Sequence, residues 1–286
     1  MKFGVNTFIW SLAVDGPVLK VLPEIRKRGF DGVELPLIDL AYIQPGTIRR
    51  RLAEADLECT FCAVLPRPLS LIDAEPQTRA RAVEHLTKAI QFAAEAGGEV
   101  LAGPLYSPVG FFTGTRRTAD EWSRAVEGWQ RLGEIAATEK MTIAIEPLNR
   151  FETFFLNTAA DAARFCTEVG RPEVGILFDT FHANIEEKDI GEAILTVAPH
   201  LVHFHACEND RGTPGSGHVN WPEVFSALRK IGYDRWVTIE SFGFALGELS
   251  AAASIWRDLA PAPADIAFDG VQFLRKGLES EAAAQV

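Results

Sequence analysis

The chain alternates between short apolar runs and longer segments in which apolar residues recur at helical spacing. The short runs are mainly apolar rather than strictly alternating, which is typical of strands that are covered on both faces. The longer segments have the pattern of amphipathic helices. This alternation predicts eight strands, with the sequences KFGVNTFI, GVELPL, ECTFCAVL, EVLAGPL, MTIAIEP, VGILFDT, LVHFHAC and WVTIES.

Capping and turn residues predict where the helices between these strands begin and end. One helix follows Pro17 over 17–28, and another over 78–96 ends at the stop signal Gly97-Gly98. Four more are predicted: over 119–139, from a cap at Asn157 or Thr158 to Val169, after a cap at Asn220, and over about 264–278.

The order of these elements predicts the fold class. Eight strands that each precede a helix indicate an α/β protein, a single (β/α)8 TIM barrel with a C-terminal extra helix. Such a barrel typically needs about 250 residues. The 286 residues of the chain are therefore expected to form one domain over 1–286.

The overall charge argues against two classes of partner. The chain has 28 Lys and Arg residues against 39 Asp and Glu residues, which gives a net charge of −11. An acidic surface disfavours nucleic acid or an anionic membrane as the main partner. The N-terminus has no secretory signal pattern, and no apolar run approaches the roughly 20 residues that span a bilayer. We therefore expect a cytoplasmic protein.

Two of the four cysteines, Cys59 and Cys62, have the C-x-x-C spacing that occurs in zinc and redox sites. Both lie in a predicted strand, where residues three apart point to opposite faces. They cannot chelate one ion there, so we expect buried structural roles for them. Few, scattered cysteines are also typical of a reducing compartment.

Four residues with acid-base or metal-binding side chains end four successive predicted strands. They are Glu146, Asp179, His205 and Glu240. The carboxyl ends of parallel barrel strands converge on one rim, where three carboxylates would repel one another unless a cation joins them. Oxygen ligands with one imidazole favour Mn²⁺ or Mg²⁺, with Co²⁺ possible. We therefore predict a divalent metal site, and expect His203, one layer below, to be structural.

Other polar residues lie close to these strand ends. Glu152, His182 and Arg211 follow them by three to six residues and should lie in rim loops. Taken singly, they could be solvated charges or packing residues, but their proximity to the predicted metal site favours contact with a ligand. Glu34 in GVELP is expected to lie behind the ligands or to be structural.

Four segments resemble the D-tagatose/D-allulose 3-epimerase family, the ketose 3-epimerases among the xylose isomerase-like barrels. These segments are IEPLNRFETFFLNT, GILFDTFHANIEE, HFHACENDRGTPGSGHVNW and TIESF. The resemblance implies that the four strand-end residues bind a divalent cation, usually Mn²⁺. It also implies that Glu146 and Glu240 are the acid-base catalysts.

The same resemblance implies roles for residues around the metal. Glu152, His182 and Arg211 match positions that hold the sugar near C1 to C3. Positions near Asn6 and Phe8 match substrate-contacting positions of the family on an early strand. Separately, barrel-helix faces rich in Trp and Phe lead us to expect a homodimer or homotetramer.

The function implied is a metal-dependent inversion at C3 of free ketoses of the D-tagatose, D-allulose/D-fructose or ribulose type. The reaction would proceed by deprotonation and reprotonation through a cis-enediolate. An aldose-ketose isomerase is the main alternative, because it uses related chemistry between C1 and C2. A DNA-cleaving enzyme on the same barrel would need more His ligands and a basic face. A sugar-binding protein would have no need of both glutamates.

Overall fold

Eight parallel strands close into a barrel in a computed structural model that describes residues 1–14, 16–38, 43–244, 247, 250–251 and 253–279. Each strand pairs with the next along the chain, and the last pairs with the first. The eight predicted strands and the barrel are therefore confirmed. The strands are β1 Lys2–Asn6, β2 Gly32–Pro36, β3 Glu58–Cys62, β4 Val100–Gly103, β5 Thr142–Ile145, β6 Val174–Asp179, β7 Leu201–His205 and β8 Trp236–Ile239.

Nine α-helices lie among the described residues, one more than the number of strands. Both α6 and α7 follow β6, and α9 is the C-terminal helix. Two short 3₁₀ helices, Thr7–Ile9 and Ala198–His200, complete the set. The α-helices are α1 Gly16–Lys27, α2 Pro45–Ala55, α3 Pro76–Ala96, α4 Ala119–Glu139, α5 Ala159–Val169, α6 Thr180–Glu186, α7 Ile190–Val197, α8 Trp221–Lys230 and α9 Pro263–Glu279.

The helix ends follow the predicted signals with one difference. Gly97 ends α3 with a φ of 90°, a conformation that suits glycine. Thr158 caps α5 by accepting a hydrogen bond from the backbone N–H of Asp161. Asn220 stands before α8 as predicted, but its side chain makes no capping bond and instead donates to the Glu223 carboxylate.

The interior of the barrel is more polar than the layer between strands and helices. A small apolar cluster of Val100, Ala102, Ala144 and Leu177 fills one side, on β4 to β6. The other side contains buried polar side chains from β1 to β3, β7 and β8, among them Glu34 and His203. This polar half lies directly beneath the rim where the functional residues meet.

All four cysteines are free and buried, and the burial expected for Cys59 and Cys62 is therefore confirmed. Cys59 and Cys62 both lie on β3, and Cys62 accepts a hydrogen bond from the Asn6 amide at 3.3 Å. Among the helices that the structure describes, none is both long and apolar enough to cross a membrane.

Candidate metal and active site

The structure brings the four strand-end residues together at the C-terminal rim of the barrel. Asp179 and His205 end β6 and β7, whereas Glu146 and Glu240 directly follow β5 and β8. All four side chains are buried, and one ligand atom of each lies within 4.8 Å of the others. These atoms are close enough for one ion to contact all of them.

Glu34 forms a hydrogen-bond network beneath this cluster. One carboxylate oxygen accepts from the Asn6 amide at 2.8 Å and from Nε2 of His205 at 2.8 Å. The other accepts from Nε2 of His203 at 2.7 Å and from the Thr60 hydroxyl at 3.1 Å. Burial alone would raise the pKa of Glu34, but the two imidazoles hold that pKa well below its usual value. Glu34 is therefore a fixed carboxylate that orients both histidines.

The bond to Glu34 leaves Nδ1 of His205 facing the rim. This nitrogen has no hydrogen-bond partner among the described residues, and it lies 3.5 Å from Glu240 Oε2 and 3.8 Å from Asp179 Oδ2. Burial alone would lower the pKa of His205, but the charges of Glu34 and Glu240 raise it well above its usual value. A positive charge is thus stabilised at this point. Three carboxylates with one imidazole nitrogen fit a hard divalent cation.

Arg211 reaches the cluster from the segment after β7. Its Nη1 donates to Asp179 Oδ2 and to Glu240 Oε2, each at 2.8 Å. The guanidinium lies 4.0 Å from the ring centroid of Phe181 and 5.0 Å from that of Phe242. Burial alone would raise the pKa of Asp179, but Arg211 helps to hold it well below its usual value. Asp179 is therefore held as a carboxylate, the form that binds a cation.

Glu146 differs from Asp179 in its electrostatic surroundings. Burial raises the pKa of Glu146 well above its usual value, and the nearby charge of Glu240 adds to this effect. Its Oε1 lies 3.6 Å from Nε2 of His182. Glu146 and Asp179 therefore differ in how readily they take up a proton, and Glu146 is the better suited of the two to proton transfer.

His182 and Glu152 are joined by Asn149. The backbone N–H of Asn149 donates to Nδ1 of His182 at 3.1 Å, and Nε2 of His182 lies 3.1 Å from Nη2 of Arg211. Burial lowers the pKa of His182 to about 3, so the imidazole is neutral at pH 7. The Asn149 amide also donates to Glu152 at 2.9 Å, and burial raises the pKa of Glu152. The sequence reasoning missed Asn149, although its position three residues after Glu146 was a signal.

A cavity of about 230 Å³ opens at this rim. It is lined by Glu146, Glu152, His182, Arg211 and Glu240, and by apolar side chains that include Phe8, Leu12, Ile38, Val109, Phe181 and Phe242.

The two early-strand residues differ in their relation to this cavity. Phe8 lines it as expected, but Asn6 does not, because its amide is held by Glu34 and Cys62 inside the barrel. A larger cavity, about 660 Å³, lies at the other end of the barrel beside the loops that precede β6 to β8. It contains none of the four strand-end residues, so the smaller cavity is the candidate active site.

Comparisons with known proteins find similarity along nearly the whole chain. Residues 22–277 match the family model described as xylose isomerase-like TIM barrel. The chain is 39% identical to a probable ketose 3-epimerase of Synechocystis sp., over 96% of each protein. It is 31% identical to the L-ribulose 3-epimerase of Mesorhizobium japonicum, over 98% of this chain and 95% of that one. The solved D-allulose 3-epimerase of Methylomonas sp., in complex with D-allulose, superposes with a TM-score of 0.91 at 28% identity, over 96% of both chains.

The substitution Glu34→Gln should weaken binding of a divalent cation about 10- to 100-fold, the usual cost of losing the group that orients a ligating imidazole. The amide would present a donor to one of the two imidazole N–H groups and release His205 from its orientation. Calorimetric titration of metal-stripped protein with Mn²⁺ measures the change. Glu99→Gln is the control, because Glu99 bonds to Lys2 and Trp236 at the other end of the barrel. A folded Glu34→Gln protein with unchanged Mn²⁺ affinity would contradict the orienting role.

Proposed function

We propose that this chain, which belongs to the ketose 3-epimerases of the xylose isomerase-like TIM barrel family, inverts carbon 3 of a free ketose. The resemblance predicted from four sequence segments is confirmed by the family match and by the relatives. The observation that carries the proposal is the convergence of Glu146, Asp179, His205 and Glu240 at the rim cavity. The enzyme is an isomerase.

Inversion at C3 requires a proton to leave one face of the carbon and another to reach the opposite face. A single base tends to return the proton to the face from which it came. Two carboxylates on different sides of the substrate avoid this, and each acid-base role can contribute about 10²–10⁴-fold. We assign these roles to Glu146 and Glu240, which follow strands β5 and β8, three positions apart around the barrel.

We propose that the four strand-end residues hold a divalent cation, Mn²⁺ in preference to Mg²⁺ or Co²⁺. The support is the ligand set and the free Nδ1 of His205 between two carboxylates. A bound cation would supply Lewis-acid stabilisation of the negative charge that develops on the sugar oxygens in a cis-enediolate. The protein contributes the fixed positions of the ligands, through Glu34 and the strands.

Arg211, His182 and Glu152 are proposed to bind the sugar near C1 to C3. All three line the cavity beside the acid-base pair. Arg211 presents hydrogen-bond donors, which stabilise developing negative charge on a carbonyl or enolate oxygen, and we assign neutral His182, whose Nε2 lies beside Arg211, to the same part of the sugar. Glu152 presents an acceptor for a sugar hydroxyl.

The proposed substrates are free ketoses of the D-tagatose, D-allulose/D-fructose or ribulose type. The relatives include an L-ribulose 3-epimerase and a D-allulose 3-epimerase solved with D-allulose. The cavity is smaller than the roughly 300–1,000 Å³ common for drug-sized ligands, which suits a single monosaccharide. The net charge of −11 does not favour nucleic acid as a partner. The alternative function remains an aldose-ketose isomerase acting on a related sugar.

We further propose a homodimer or homotetramer, a cytoplasmic location and one domain over 1–286. Exposed aromatic side chains such as Phe151 and Trp256 support self-association. Four buried free cysteines suit a reducing compartment. Pairing of β1 with β8 joins the two halves of the chain in one barrel. Sedimentation velocity tests the oligomer, and a monomer at micromolar concentration would contradict it.

Incubation of the metal-loaded protein with a panel of free ketoses should yield the C3 epimer of at least one of them. Chromatography of the products measures the reaction and separates C3 epimers from aldoses. Chelation of the metal should abolish the activity, and Mn²⁺ should restore it, because the ligand set needs a cation. An aldose as the sole product would support the alternative. Full activity after complete metal removal would contradict the metal site.

The substitution Glu240→Gln should lower kcat about 10²–10⁴-fold, because the amide cannot exchange a proton with C3. Glu240 is also a proposed ligand, so the metal content of the variant must be measured. Glu127→Gln, at an exposed position of α4, is the control and should retain wild-type activity. Exchange of C3 hydrogen with solvent deuterium gives a second measurement. Wild-type epimerisation and exchange in the metal-bound Glu240→Gln protein would disprove the two-base mechanism.

A further inference from the structure

Glu208 is a fully buried carboxylate outside the cavity, in the segment between β7 and α8. Its Oε1 accepts from the backbone N–H groups of Asn209 at 3.1 Å and Val219 at 3.0 Å. Its Oε2 accepts from the backbone N–H of Gly215 and from the indole N–H of Trp221, both at 2.8 Å. Four donors from both ends of the segment thus meet on one side chain.

Only a carboxylate at position 208 can accept hydrogen bonds from all four donors. A carboxylate has about four acceptor positions and no donor, whereas an amide would turn its NH₂ group toward N–H groups. Gly217 leaves the space that the carboxylate fills, because a Cβ there would lie 2.7 Å from Cγ and from Oε1 of Glu208. The segment is therefore folded around the Glu208 carboxylate.

The same segment presents Arg211 to the cavity in an unfavourable backbone conformation. Arg211 has a φ of 65°, in the left-handed region that non-glycine residues adopt infrequently. Its N–H donates to the carbonyl of Glu208 at 3.0 Å, and its carbonyl accepts from the Ser241 hydroxyl at 2.7 Å. Such a conformation persists only where the surroundings hold it.

We propose that Glu208 is a positioning residue for Arg211. Its carboxylate fixes the segment 209–219 in the conformation from which the guanidinium reaches the sugar-binding cavity. Glu208 is not among the described residues that line the cavity. It therefore acts on the sugar only through Arg211. The inference rests on the proposed function, in which Arg211 holds the ketose.

A double-mutant cycle with Glu208→Gln and Arg211→Ala tests this inference, with steady-state kinetics measured on the preferred ketose. Glu208→Gln should raise KM by at least about tenfold, the change that corresponds to the loss of one charged hydrogen bond. The kcat should fall less. Both constants are compared at saturating Mn²⁺, because Arg211 contacts two of the proposed ligands, Asp179 and Glu240. Glu223→Gln on α8 is the matched control and should leave both constants unchanged.

The decisive comparison is with Arg211→Ala. If Glu208 acts through Arg211, the double variant should be no worse than Arg211→Ala alone. A purely structural role would instead make the two losses add, and additive losses would overturn the proposal. Hydrogen exchange at the amides of Gly215 and Val219 should speed up in Glu208→Gln. Unchanged KM despite faster exchange would also overturn it.

Three further outcomes are distinguishable. If Glu208→Gln does not fold, Trp221→Phe removes a single donor to the carboxylate and enters the same cycle with Arg211→Ala. If the wild-type protein forms no C3 epimer from any ketose, the proposed function itself fails. If the wild-type protein is active but Arg211→Ala leaves KM unchanged, the sugar-binding role of Arg211 fails and the positioning role fails with it.

Discussion

One buried carboxylate, Glu34, determines how the functional end of this barrel is arranged. It accepts hydrogen bonds from Nε2 of both His203 and His205, across the interior from β2 to β7. Because Nε2 of His205 is engaged below, its Nδ1 must face the rim between Asp179 and Glu240. A buried charge of this kind is costly unless its partners are well placed. The Asn6 amide and the Thr60 hydroxyl also donate to Glu34, and the four hydrogen bonds together offset the cost of burying its charge.

The candidate site combines groups held by strands with groups held by the segments that follow them. The four possible metal ligands stand at or next to strand ends, where hydrogen bonding around the barrel fixes their backbone. Arg211 and Glu152 lie in connecting segments, and His182 lies on the short helix α6. Rigid elements hold a catalytic constellation more precisely than loops do, whereas loops adapt to differences between ligands. In the proposed function, this division separates metal binding from recognition of the sugar.

Much of this arrangement could be predicted from the sequence, because the fold class and the four strand-end residues depend on local patterns. Strand runs, their order and the position of an acidic or imidazole group at each end are all local. The network beneath the rim is not local: Glu34 is 169 residues from His203 and 171 from His205. Its partners depend on the register around a closed barrel, which no single segment encodes. For the same reason, the sequence did not reveal that Asn6 points into the barrel, or which nitrogen of His205 faces the rim.

The most direct measurement is anomalous scattering from crystals of the protein grown with Mn²⁺. The account predicts one strong peak at the rim, within bonding distance of Nδ1 of His205 and of carboxylate oxygens from Glu146, Asp179 and Glu240. It also predicts that Nε2 of His205 stays hydrogen-bonded to Glu34. A peak elsewhere, or coordination of the ion through Nε2 of His205, would contradict it.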